Sequence, residues 1–234
     1  MENDEMFDRA ERLLGAEAMA RLRAARVILF GCGGVGSWCG EALVRSGIGH
    51  ITLVDMDCVA PSNINRQLPA TALTIGKPKV EAMKRRLLEI NPEAEITAVN
   101  ARFTAENADA FDLGSYDFVI DAIDSVADKA ELILRSTSCG SQTTLFSSMG
   151  AARKLDPSRV QVREFRDVKG CPLAAALRSR FKRTGVYPRR KFKAVFSDEV
   201  LPAPASGPNG SMVHITAVWG MTLASLVIRK LAQR

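Results

Sequence analysis

The residues able to do chemistry fall in a fixed order along the chain. Gly31-Cys-Gly33-Gly34-Val-Gly36 matches G-x-G-x-x-G, follows a short apolar run and opens a helical pattern. Such a loop turns tightly, lets the backbone approach a phosphate and aims the free N–H groups of a helix N-terminus at it. Asp55 lies 19 residues beyond Gly36, at the end of the next apolar run. A carboxylate there accepts hydrogen bonds from ribose hydroxyls. These two features indicate an adenine nucleotide and leave NAD and ATP open. The next segment separates them: Arg66 lies in Ser62-Asn63-Ile-Asn65-Arg66-Gln67, and Lys79 follows Gly76-Lys77-Pro78. A dehydrogenase has no need of further cations trained on phosphates. A triphosphate does, because the charge of its departing pyrophosphate must be neutralised. Arg66 can clamp phosphate oxygens bidentately and Lys79 is a compact point charge. The plain alternatives are that Arg66 is a surface loop residue and that Lys79 merely opens a helix. Asp124, just past the apolar run 116–121, suits Mg²⁺ held together with phosphates. Asp121 competes for that role or caps the next turn.

The elements that must position these residues alternate. Residues 1–22 read as one helix, with Leu13, Leu14, Ala18 and Leu22 near helical spacing. Residues 26–30, 50–55, 95–101, 116–121 and 142–146 read as strands, and 37–46, 79–90 and 129–138 as helices. Alternating strands and helices predict an α/β fold, a Rossmann-like, doubly wound, mostly parallel sheet. Residues 1–150 form that adenylation core. From 151 to 234 the alternation fades into a smaller basic extension: a strand over 160–165, a helix over 173–181, a basic loop over 187–193, a Pro- and Gly-rich stretch over 202–209, and a last apolar helix expected to pack on the core.

Composition narrows the class. The chain has 234 residues, 47% hydrophobic and 25% charged, with a net charge of +6. That is ordinary for a soluble globule and excludes disorder, collagen and coiled coil for the whole chain. The five cysteines include no C-x-x-C pair, against a disulfide scaffold or a four-cysteine zinc site. The N-terminus is acidic and polar, unlike a signal peptide. The apolar run 212–228 contains His214, Thr216, Gly220, Thr222 and Ser225 and falls short of the ~20 residues of a membrane span. A buried helix, no membrane contact and a cytoplasmic, reducing location are expected.

The charge is uneven. Residues 150–200 hold 14 Lys and Arg against 5 Asp and Glu. Arg178, Arg180, Lys182 and Arg183 lie in the basic helix, and Arg189, Arg190, Lys191 and Lys193 in the loop after it. Phe181, Tyr187 and Phe192 are interleaved with them. Cations neutralise phosphates and aromatics stack on unpaired bases, which suits nucleic acid. The alternative is a solvated basic face with Phe181 and Phe192 in the core.

Taken jointly, Gly-x-Gly-Gly-Val-Gly-Ser, Asp-x-Asp-x-Val, Ser-Asn-x-x-Arg-Gln, Gly-x-Pro-Lys, Ile-Asn-Pro and Asp-Ala-Ile-Asp resemble the ubiquitin-activating-like adenylyltransferases of molybdopterin and thiamine biosynthesis. The resemblance covers residues 5–150 and implies activation of a carboxylate by ATP as an acyl-adenylate. It assigns Asp55 to ribose, Asn63, Arg66 and Lys79 to the phosphates, and Asp124 to Mg²⁺. Gln67 would support the site, and Asp57 falls in the same nucleotide-binding set. It further implies a homodimer in which Arg9, with Arg12 as the alternative, reaches the partner subunit's ATP. The last third has no zinc pairs. Its Ser148-Met-Gly150, Asp156-Pro157, Cys171-Pro-Leu-Ala174, Val195-Phe-Ser197 and Asn209-Gly-Ser211 are similar to the tRNA threonylcarbamoyladenosine dehydratases. That branch implies a tRNA partner. The competing expectation is activation of a ubiquitin-like sulfur-carrier protein, with a sulfur-carrier or cysteine-desulfurase-associated partner. For Cys171 that leaves a thioester role beside a packing role.

Overall fold

The computed structural model describes residues 3–207 and 209–233. The N-terminal segment is two helices rather than one, α1 (Asn3–Leu14) and α2 (Ala16–Ala24). Gly15 breaks it by taking a φ of 84°, in the left-handed region that glycine enters without steric cost. The break turns Leu13 outward, 82% exposed, while Ala18, Met19 and Leu22 are buried.

The core alternates β1 (Arg26–Phe30), α3 (Gly36–Arg45), β2 (His50–Val54), α4 (Lys79–Ile90), β3 (Glu95–Val99), β4 (Phe118–Asp121), α5 (Val126–Ser138) and β5 (Thr144–Ser148). The extension adds β6 (Gln161–Glu164), α6 (Pro172–Thr184), β7 (Lys193–Phe196) and α7 (Val213–Ala232). One seven-stranded sheet runs in the order β3-β2-β1-β4-β5-β7-β6. All neighbours are parallel except β6 with β7. Residues 27–30 of β1 and 118–121 of β4 are wholly enclosed, as expected of central strands covered on both faces. The chain leaves β1 toward β2 on one side and later returns through β4 on the other. The crevice between the C-terminal ends of β1 and β4 is therefore the topological switch point where ligands bind in such sheets.

The strand β7 departs from the sequence reading, which ended a basic loop at Lys193. It pairs with β5 in parallel, so the extension grows out of the core sheet. The last helix, α7, is the one described helix long and apolar enough to cross a membrane, yet half of that window is buried inside the protein. Ile215, Trp219, Leu223 and Val227 are fully enclosed. At Gly220 a Cβ would lie 2.5 Å from the Val35 carbonyl oxygen, so α7 and the start of α3 are in backbone contact. That contact ties the end of the chain to the glycine loop.

Candidate functional site

A cavity of about 810 Å³ opens at the switch point. Gly31, Gly33, Gly34, Asp55, Asp57, Arg66, Gln67, Lys79 and Asp124 all line it. Sequence motifs spread over nearly a hundred residues thus converge, because each follows the C-terminal end of a strand or caps the helix after one.

The glycine loop is shaped by close approach. Gly31 has a φ of 92°, and a Cβ there would sit 2.7 Å from the Ala122 carbonyl oxygen. A Cβ at Gly36 would lie 1.8 Å from the Gly31 carbonyl oxygen. Gly36 is the first residue of α3, and only a residue without Cβ closes that turn. Asp55 Oδ2 accepts from the Cys32 N–H at 2.7 Å and Oδ1 from the Asp57 N–H at 2.8 Å, which fixes the carboxylate at the loop's edge.

The cations are already partnered. Lys79 is nearly enclosed and its Nζ lies 2.7 Å from Asp57 Oδ2. Arg66 Nη1 donates to the Ser62 carbonyl at 2.8 Å and to Asn65 Oδ1 at 2.9 Å. Asn63 lies outside the cavity wall, and its Oδ1 accepts from the Ala60 N–H at 3.0 Å. Its side-chain oxygen braces the loop that carries Arg66. Gln67 is buried beside Gly33, and its Oε1 has no partner among the described residues.

The two competing aspartates differ in burial. Asp121 is fully enclosed and accepts from Lys129 Nζ at 2.8 Å, Ser147 Oγ at 2.6 Å and the Ile123 N–H at 3.1 Å. Burial pushes the Lys129 ammonium down in pKa, and Asp121 opposes that. Asp124 is exposed on the cavity wall and carries no hydrogen bond among the described residues. No group of three His, Cys, Asp or Glu side chains able to hold a metal occurs among the described residues. A single open carboxylate is the donor set that suits Mg²⁺ brought in with phosphates, and not a metal held by protein alone.

Sequence reasoning missed part of the wall. Arg102, just past β3, pairs at 2.7 Å with Asp128 in the first turn of α5. Lys154 is buried, donates to the Ser197 carbonyl at 3.2 Å and to the Glu199 carbonyl, and stands 5.9 Å from the Trp219 ring centre. Burial pushes its pKa down. Ser211 Oγ, also on the wall, is buried without a partner among the described residues. The usable signal for Arg102 was its place immediately after a strand at the ligand-binding edge.

Other expected residues lie elsewhere. Arg9 is exposed on α1, away from the cavity wall, and Arg12 pairs with Asp8 at 2.9 Å. Cys171 is 3% exposed and stands just before α6, a placement that fits the packing alternative. Phe181 and Phe192 are buried, whereas Tyr187 is 56% exposed. Arg178 donates to the Val168 carbonyl at 2.8 Å, and Arg190 to those of Thr137 and Ser136 at 3.1 and 3.0 Å. These two arginines, expected on the nucleic-acid face, also brace the fold. Lys191 lies 3.4 Å from Glu164 Oε2, and Arg180, Lys182, Arg183, Arg189 and Lys193 make no ion pair among the described residues.

Comparison with known proteins fits this geometry. The profile of the ThiF family matches residues 7–234. The tRNA threonylcarbamoyladenosine dehydratase of Haemophilus influenzae is 37% identical, over 99% of this chain and 95% of its own length. That of Bacillus subtilis is 40% identical over 82% of this chain and 74% of its own length. The crystal structure of the E. coli tRNA N6-threonylcarbamoyladenosine dehydratase in complex with ATP superposes with a TM-score of 0.91 at 37% identity, covering 98% of this chain and 95% of that one.

Proposed function

The chain belongs to the ThiF family, and from that premise we infer that it is an ATP-dependent tRNA threonylcarbamoyladenosine dehydratase. The observation that carries the reading is the convergence of the glycine loop, Arg66, Lys79 and Asp124 on one cavity at the switch point. Full-length similarity to dehydratases, one of them seen with ATP, supports the substrate.

The carboxylate of the threonylcarbamoyl group attacks the α-phosphorus of ATP, and pyrophosphate leaves. A nitrogen of the same side chain then closes onto the activated carbonyl, and AMP leaves. The sum is loss of one water from the modified nucleoside, driven by ATP. The chain's residues position and neutralise rather than supply a nucleophile. N–H groups at the start of α3 face the phosphates. Lys79 passes from Asp57 to the triphosphate, and Arg66 turns from the Asn65 and Ser62 oxygens to it. Asp124 would hold Mg²⁺, whose charge offsets that of the leaving pyrophosphate.

The finer features belong to the same reading. The enzyme is a cytoplasmic homodimer in which Arg9 completes the partner subunit's site. The exposed cations of the extension carry tRNA. Pyrophosphate release measured with bulk tRNA, with a ubiquitin-like carrier protein and with neither tests the substrate: release only with tRNA is expected, and release only with the carrier overturns it. Mixing Arg9→Ala subunits with Asp124→Ala subunits tests the dimer. Partial recovery of activity through hybrids is expected, and a monomer in light scattering at working concentration refutes it.

A further inference from the structure

Away from the nucleotide cavity, the extension encloses a second cavity of about 420 Å³. The reading above gives it no task. Its floor is aromatic. Phe165 and Phe192 stack with centroids 4.9 Å apart and planes 16° apart, and Phe181 meets Phe165 edge-on at 6.1 Å. Tyr187 and Pro188 form one wall. Arg166, Lys182 and Lys191 ring the mouth, and all three are exposed. Glu164 is the single acid among the lining residues.

An apolar interior rejects a free inorganic anion, and a cationic mouth does not select a hydrocarbon. A nucleotide offers both halves at once: a flat π-face for the interior and phosphates for the rim. The volume is within the range of about 300–1,000 Å³ typical of small-ligand pockets, so one base fits. Tyr187 is the large aromatic left exposed at this mouth, with 56% of its surface open. We propose that this cavity receives one unpaired base of the bound tRNA, a nucleotide other than the one being modified. The inserted base registers the RNA loop on the extension while the reacting carboxylate lies in the nucleotide cavity. The inference rests on the tRNA reading above and adds a site to it.

The test uses the full chain and RNA stem-loops whose loop bases are removed one at a time. Tyr187→Ala is the variant, because an exposed side chain can be truncated without unfolding the protein; its melting profile checks this. With the intact loop, the variant should bind about 5- to 150-fold more weakly, the worth of one stacked base, with an unchanged slope against salt. At one loop position, base removal should weaken the wild type by a similar factor and leave the variant unaffected further. An unchanged affinity, or losses that simply add at every position, overturns the cavity assignment. Wild-type protein that binds no RNA at low salt overturns the tRNA reading itself, which keeps the two failures apart.

Discussion

In the nucleotide cavity, the nearly enclosed Lys79 meets Asp57 before any ligand arrives. On the extension, Lys182, Arg183 and Arg189 face water and make no ion pair among the described residues. The same side-chain types are used in opposite ways. An enclosed cation needs a standing counter-ion, since leaving it unpaired is costly. A ligand must then offer more negative charge than the carboxylate it displaces, which a triphosphate does. An exposed cation keeps its hydration and its salt counter-ions, so its contribution comes from releasing them. The first arrangement favours a particular polyanion; the second would attract any nucleic acid and leave recognition to shape and stacking.

The largest expected effect lies in the first region. Asp124→Ala should lower ATP–pyrophosphate exchange by about 10²–10³-fold, as loss of a charge-stabilising group does. Its Tm should stay at the wild-type value, because the side chain is exposed and unbonded. An active, Mg²⁺-dependent variant would remove Asp124 from the metal role. Lys79→Ala should cost about 10²-fold in kcat/KM for ATP by the same principle. Equal losses of kcat/KM for ATP in Lys79→Ala and in Lys182→Ala would erase the distinction between the regions.

The second region should reveal itself through salt. Reversing Lys182, Arg183 and Arg189 to Glu together should flatten the slope of log tRNA affinity against log salt by up to about 2, at roughly 0.7 per single-strand phosphate contact. Arg190→Ala should instead lower the melting temperature, since its guanidinium ties the loop before β7 to the end of α5. A variant whose tRNA affinity and salt slope equal the wild type's at low salt would reduce this segment to a solvated face.

The smallest effect concerns a charged trio that links α3 to α4. Glu41 on α3 is buried and accepts from Arg45 at 2.8 Å and from Arg86 at 2.8 and 2.9 Å. Burial pushes its pKa up, but the bonds from Arg86 and Arg45 outweigh that and hold it below the usual carboxylate range. Stability from a depressed carboxylate is present above the unfolded value and lost as pH falls through the folded one. Glu41→Gln should therefore cost about 1–2 kcal/mol at neutral pH, less than a fully buried ion pair because both arginines are half exposed. The difference should shrink below about pH 4 in denaturant titrations. A pH-independent difference would put its origin in packing.

The sequence carried β1, β2 and β4 as short, mostly apolar runs followed by a turn or cap. It carried the cavity because those turns hold the glycine, acid and cation motifs. It hid β7, whose four residues begin with Lys193 and gain strand character only by pairing with β5. It hid the break at Gly15, since residues good for helix stand on both sides. That Asp121 is enclosed and Asp124 open needed burial, which spacing cannot give. Arg178 and Arg190 looked like their basic neighbours because a carbonyl partner leaves no mark on composition. Lys154 was unreadable for the same reason, its partners lying more than forty residues away.

The most direct measurement follows the nucleoside itself. Purified enzyme, ATP, Mg²⁺ and tRNA bearing threonylcarbamoyladenosine are incubated, and the digested nucleosides are weighed by mass spectrometry beside the AMP formed. The account predicts that the modified nucleoside loses the mass of one water, with one AMP per nucleoside converted, and that Asp124→Ala converts none. AMP formed without any change in nucleoside mass, or water lost without ATP, would contradict it.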